Sequence, residues 1–185
     1  CERSAPSASA PPSDAVPGVT AQVCGDEVKY PITPRHAVTH DAGITEMFVY
    51  LGLGDRLIGY SGIPDGKEVV PEVAARLRQL PNLSRQGMNL ETLVNAGADF
   101  VFGGWSYGFR PGGVTPDLLA QHGIASYVLT ESCIRVKPRE DVFIEDAFAD
   151  MRALGRIFRV EAQAEQRVGQ LQAELTLLRE QLSPV

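Results

Sequence analysis

One stretch, residues 86–110 (QGMNLETLVNAGADFVFGGWSYGFR), constrains the fold of this chain more than any other. Asn89 is suited to cap a helix, Glu91 falls in the first turn where the macrodipole favours a carboxylate, and Leu90, Leu93 and Val94 supply a short apolar face. Gly97 supplies the stop. Residues 99–102 then form the apolar run that a strand covered on both faces requires, and Gly103-Gly104 is expected to turn the backbone sharply at its carboxyl end. Trp105, Tyr107, Phe109 and Arg110 follow at once. In open α/β sheets, ligands sit in the crevice outside the carboxyl ends of the strands, so rings and one cation placed there form a candidate binding site. The alternative is that the rings fold back onto the chain's own core.

The flanking sequence repeats the same grammar. Residues 19–23 and 28–32 flank Cys24-Gly25-Asp26-Glu27 and predict a hairpin ending at Pro31 and Pro34. Residues 37–39 predict a strand, residues 43–51 a helix with Ile44, Met47, Phe48 and Leu51 on one face, and residues 57–60 a strand. A loop over 61–67 leads to a helix over 71–80. Thr115-Pro116 starts another helix, stopped by Gly123, and residues 126–129 form a further strand. Strand and helix therefore alternate with short connections from residue 37 to 129, which argues for a largely parallel sheet with flanking helices, a Rossmann-like α/β lobe.

The carboxyl-terminal part reads differently. Asp141 is expected to cap a helix carrying Val142, Phe143, Phe148, Met151, Leu154 and Phe158. A second helix follows over residues 160–182, with Val168, Leu171, Leu175, Leu178 and Leu182 at steps of three and four. At about 1.5 Å per residue it spans more than roughly 30 Å, longer than a cover for this lobe requires. A coiled-coil dimer is the structural alternative, though the seam is short for one.

Composition sets the outer bounds. With 185 residues, 44% hydrophobic, 22% charged and a net charge of -6, the chain has material for one sizeable core and no basic footprint for nucleic acid. Residues 1–17, a Ser/Ala/Pro-rich segment starting at Cys1, are too poor in large apolar residues to fold. This start resembles the mature end of a bacterial lipoprotein, which implies a flexible tether with lipid on Cys1 and an extracytoplasmic body anchored to the membrane. Setting Cys1 aside leaves Cys24 and Cys133, an even pair in a compartment where disulfides persist. A bridge would close a loop of about 110 residues and contribute roughly 4–5 kcal/mol in the chain-entropy account. Two buried free thiols are the alternative, and no His stands beside either Cys to make a metal site.

Three segments carry a family resemblance: TEMFVYLGLGDRLIG (residues 45–59), QGMNLETLVNAGADFVF (86–102) and LGRIFRVEAQA (154–164). In this order and spacing the chain resembles the substrate-binding proteins of ABC importers for cobalamin and iron-siderophore complexes, whose two lobes are joined by one long rigid helix. The resemblance implies an amino-terminal ligand-binding lobe over residues 18–140 and a helical segment over 141–185 containing the interlobe helix, with the second lobe absent from this sequence. It implies Tyr60, with the loop 61–64, across the cleft from Trp105, Tyr107, Phe109 and Arg110. Glu91 matches the carboxylate that docks on the permease. The ligand expected is a ferric siderophore or similar chelate, with cobalamin or another anionic ring compound, such as a deazaflavin precursor, as the alternative. The aromatic residue that precedes QGMNLE in cobalamin-type members is Arg85 here, which weakens cobalamin. No resident cofactor or metal is expected, the protein is expected to be a monomer, and its partners are the permease and the membrane.

An enzyme is the competing class. Thr130-Glu131-Ser132-Cys133 places a nucleophile beside an acid, but His36, His40 and His122 form no triad or zinc spacing with it. Each His reads as a surface or capping residue. The glycines of LGLGDRLIG lie before a strand instead of after one, the reverse of a dinucleotide fingerprint. No catalytic residue is expected.

Overall fold

The computed structural model describes residues 17–138 and 141–182. The expectations for Cys1 and its tether, and for the end of the chain beyond residue 182, lie outside the described residues.

The chain begins with an antiparallel hairpin, β1 (Val19–Val23) and β2 (Asp26–Tyr30). Its turn is two residues long, not the four expected, because Asp26 and Glu27 pair in the ladder with Val23 and Gln22. Cys24 and Gly25 both take positive φ, 49° and 83°, the handedness that matches the twist of paired strands. Cys24 is joined to Cys133 by a disulfide.

The sheet follows as β3 (Ala37–His40), β4 (Leu57–Ser61), β5 (Asn82–Ser84), β6 (Phe100–Trp105) and β8 (Ala125–Val128), with the two-residue β7 (Gly108–Phe109) beside the end of β6. All these strands pair in parallel, in the order β5-β4-β3-β6-β8. The chain enters at β3, winds outward to β5, crosses back to β6 and winds outward again to β8. The order therefore reverses between β3 and β6.

Helices α1 (Ala42–Tyr50), α2 (Pro71–Leu77), α3 (Leu90–Asn95) and α4 (Pro116–Gln121) connect these strands. Asn89 and Thr115 cap α3 and α4 through their side chains, as short polar residues at that position do. Right-handed crossovers put α1 and α2 on one face of the sheet and α3 and α4 on the other. The first face is an aromatic cluster. Phe48 and Phe100 each meet Phe158 edge-on, at 5.2 and 4.9 Å between centroids, and Phe102 packs on Phe48 and Tyr127. All five rings are fully buried. Tyr30 anchors the hairpin to the same face, packing on Phe100 and donating to the Ser126 carbonyl at 2.7 Å.

Helix α5 (Ile144–Ile157) starts two residues later than expected. Asp146 reaches back to accept from the Phe143 amide at 2.9 Å, so the cap is supplied from inside the helix and not by Asp141. Helix α6 (Glu161–Leu182) is rooted by its first two turns. Gly155 lets it approach closely, since a Cβ there would fall 2.5 Å from the Ala164 Cβ. Arg152 and Glu165 form a bidentate pair at 2.8 Å, and Arg167 lies 5.0 Å from the Tyr50 ring centroid. Ala164 and Val168 are buried and Leu171 and Leu175 partly so, whereas Leu178 and Leu182 of the expected seam stand exposed. The helix runs past the lobe that roots it.

Candidate ligand-binding site

The reversal between β3 and β6 creates a switch point, and the carboxyl ends of both strands open there. Backbone strain collects at the same edge. Asp41, just after β3, has φ 82° and ψ 152°, a region nearly reserved for glycine, and Ser106, just after β6, has φ 71°. Such residues persist only where their surroundings over-determine them. Asp41 is held by its amide on the Ser61 carbonyl (3.0 Å), by its carboxylate on the Gly43 amide (3.0 Å) and by its carbonyl, which accepts from Thr45 Oγ1 (2.7 Å).

Trp105 sits at the corner of a tight hairpin. Gly104 N donates to Tyr107 O (2.9 Å), Tyr107 N to Gly104 O (2.8 Å) and Ser106 N to Phe109 O (2.9 Å). Strand β6 thus continues through Gly103-Gly104, and the sharp turn expected there comes one step later, at Trp105-Ser106. The two glycines serve close approach instead. A Cβ on Gly103 would meet the Phe109 ring at 3.2 Å, and one on Gly104 would meet Ser132 Oγ at 2.9 Å.

The structure brings some of the sequence-derived residues together and separates others. Trp105 and Tyr107 are partly exposed on this hairpin, and Arg110 is exposed just beyond it. The stem of Arg110 lies over Gly113, and its guanidinium reaches toward Gly87, so the 86–88 loop and the aromatic hairpin share one surface. Phe109 corrects the sequence reading: it is wholly buried, with its ring 6.2 Å from Trp105, and backs the site without lining it. Tyr60 lies within the sheet, in register with Thr39 and Asn82 and partly buried against the core. Two strand spacings, about 10 Å, separate its row from β6. Arg85 is exposed and paired with Asp65 at 3.1 Å. Glu91 is exposed in the first turn of α3.

His40 was missed. It was expected at the surface or on a cap, but it is 7% exposed at the carboxyl end of β3, with Nδ1 2.8 Å from Ser61 Oγ. The backbone passes it so closely that a Cβ on Gly62 would fall 2.4 Å from its Nε2, and one on Gly108 2.9 Å from its Cγ. Burial lowers its pKa, against a smaller upward pull from Asp41. A neutral imidazole thus underpins the loops that follow β4 and β6. Its position as the last residue of the first sheet strand was the available signal.

The residues of the enzyme alternative are in structural use. Cys133 is in the disulfide, and Ser132 is 2% exposed, with its hydroxyl donating to Leu129 O (2.6 Å) and accepting from Trp105 N (2.9 Å). Next to them Asp150, fully buried, accepts from Tyr127 Oη (2.8 Å), Thr130 N (3.1 Å) and Thr130 Oγ1. Desolvation raises its pKa to about 6, opposed by these donors. Among the described residues no group of three His, Cys, Asp or Glu is placed to hold a metal ion, and no helix is long and apolar enough to cross a membrane. Recesses of about 600 and 700 Å³ open beside the cystine and around Arg35, Arg56 and Arg159 at the amino ends of the strands, and neither is lined by Trp105, Tyr107 or Arg110. The candidate site therefore rests on ring placement at the switch point and not on an enclosed cavity.

No protein-family model matches the sequence, and no curated protein is significantly similar to it. Solved structures are decisive for the fold. A periplasmic binding protein from Veillonella parvula superimposes with a TM-score of 0.72 at 24% identity, over 91% of this chain and 55% of that one. The fold is that of the amino-terminal part of periplasmic binding proteins of ABC importers. An ABC-type Fe3+-hydroxamate transport protein from Saccharomonospora viridis gives a TM-score of 0.73 at 21% identity, over 88% of this chain and 56% of that one. The periplasmic vitamin B12 binding protein BtuF of Vibrio cholerae gives 0.58 at 17% identity, over 80% and 51%. The chain thus spans about half the length of the periplasmic binding proteins it matches.

Proposed function

We propose that this chain supplies the amino-terminal lobe and connecting helix of an extracytoplasmic solute-binding protein of an ABC importer, and that its ligand is a ferric siderophore-type chelate. The observation that carries this reading is the hairpin at the switch point, which holds Trp105 and Tyr107 partly exposed on a hydrogen-bonded frame with Arg110 beside them. Rings held in this way bind a large chelate without losing much side-chain entropy. Arg110 is suited to the carboxylate or net negative charge of a ferric complex. The similarity to a Fe3+-hydroxamate transport protein supports this ligand class.

In this reading Glu91 is the docking carboxylate for an arginine of the permease, a transient and salt-sensitive contact, and Cys1 carries the lipid that keeps the monomeric protein at the membrane. A corrinoid or other anionic ring compound is the second reading, favoured by the similarity to a vitamin B12 binding protein. Arg85, engaged with Asp65 where a ring would stack on a corrin, counts against it. The test is a fluorescence titration of the 185-residue chain, whose single tryptophan is Trp105, with ferric trihydroxamate, hemin and cyanocobalamin. Saturable quenching strongest with the ferric hydroxamate is expected. Preference for cyanocobalamin would move the assignment to the second reading.

A further inference from the structure

The end of the β6–β8 ladder contains a substitution of side chain for backbone. Ala125 N donates to Asp99 O (3.0 Å) and Leu129 N to Gly103 O (2.8 Å), so the next rung of a regular parallel ladder would run from Trp105 N to Leu129 O. It does not. Trp105 N donates to Ser132 Oγ (2.9 Å), and Ser132 Oγ donates to Leu129 O (2.6 Å). A hydroxyl is spliced into the rung, which holds the strands apart at the residue that carries the only tryptophan. Gly104 leaves the room for it, since a Cβ there would fall 2.9 Å from that oxygen.

The turn that carries Ser132 is braced on both sides. Thr130, before it, gives its amide and hydroxyl to buried Asp150. Cys133, after it, is tied to Cys24 in the hairpin turn of β1 and β2.

We infer that Ser132 is the positioning residue for the Trp105 ring, and that the Cys24–Cys133 cystine belongs to the ligand site by fixing the turn that Ser132 sits on. The inference rests on the ligand reading proposed above for its consequence in binding, but not for its effect on Trp105 itself. Reduction of the cystine by a dithiol yields two thiols on the protein and one disulfide on the reductant. It frees Cys133, lets the turn relax, and allows Trp105 N–H to choose between water and Leu129 O.

The experiment has a ligand-free arm and a ligand arm. Emission maximum and acrylamide quenching of Trp105 are measured in the 185-residue chain, in Ser132→Ala, in Gly104→Ala, and in the wild type reduced with dithiothreitol, with far-ultraviolet circular dichroism to show that each remains folded. Changed emission and increased quenching are expected in all three, and a ferric trihydroxamate titration should weaken by about tenfold, the factor that one buried hydrogen bond commands. Wild-type emission and quenching in folded Ser132→Ala would overturn the role of Ser132. The same result in folded, reduced wild type would overturn the role of the cystine. A wild type that answers to no chelate would refute the ligand reading while the acrylamide arm still decides the positioning.

Discussion

Strand β6 buries Phe100 and Phe102 at its start and presents Trp105 at its end, three residues apart along one backbone but held by different physics. At the start, rings from α1, β8 and the residue that ends α5, Phe158, close on the strand from one face, and nonpolar contact leaves it no alternative position. At the end, hydrogen bonds, two glycines and a strained Ser106 hold the hairpin while leaving Trp105 and Tyr107 partly open. The first kind of order gives stability, and the second gives a fixed shape that stays partly open to solvent. Substitutions at the two ends should separate these effects.

The largest expected effect is at the core. Phe158→Ala removes the ring shared by Phe48 and Phe100 and should lower the unfolding free energy by about 3–5 kcal/mol, read from the urea midpoint. The folded fraction should keep its Trp105 emission. A shift in emission would show that the two ends are not separable. Next comes the covalent brace: replacing both Cys24 and Cys133 by Ser should cost about 2–5 kcal/mol in the same assay.

Asp150 joins the two ends, and its effect depends on pH. Its carboxyl titrates near 6 when folded and near 3.8 when unfolded, so the native state holds the proton more tightly. Its contribution is therefore fully present below about pH 3.8 and is lost as pH rises through 6, on the order of 2–3 kcal/mol. Asp150→Asn should flatten that part of the stability profile. His40 works in the opposite sense, because burial lowers its pKa: stability is retained above 6.5 and falls as acid forces a proton onto it. The smallest effect on stability is expected for Arg110→Ala, within about 0.5 kcal/mol for an exposed side chain, together with a loss of about tenfold in chelate affinity.

Much of the fold was legible in the sequence because each local signal agreed with the global one. Asn89 and Thr115 cap the helices they were expected to cap, and residues 100–102 of the expected apolar run lie in the buried centre of the sheet, with Asp99 just before the strand. β5 was not legible: three partly buried residues carry no periodicity. The start of α5 was misplaced because its cap comes from Asp146 inside the helix, and an acid before a helix resembles an acid within it.

The candidate site was legible as a place and less so as a set of residues. Aromatic residues after a buried strand pointed to the switch point, but alternation along a two-residue turn decides which rings face out, and Phe109 falls on the inner side. Gly103-Gly104 suggested a turn because close approach by Phe109 and Ser132 leaves no separate mark in the sequence. His40 was read as a surface or capping residue and Ser132 as a nucleophile of the enzyme alternative, because the roles they have depend on neighbours from other strands.

The central claim is that Trp105, held open at the carboxyl edge, is a wall of the ligand site. Equilibrium titration of Trp105 fluorescence with ferric trihydroxamate tests it most directly, run in parallel on the wild type and Arg110→Ala. The account predicts saturable quenching in the wild type and a titration displaced to about tenfold higher concentration in the variant. Quenching that is linear and identical in the two proteins would be collisional, and would contradict it.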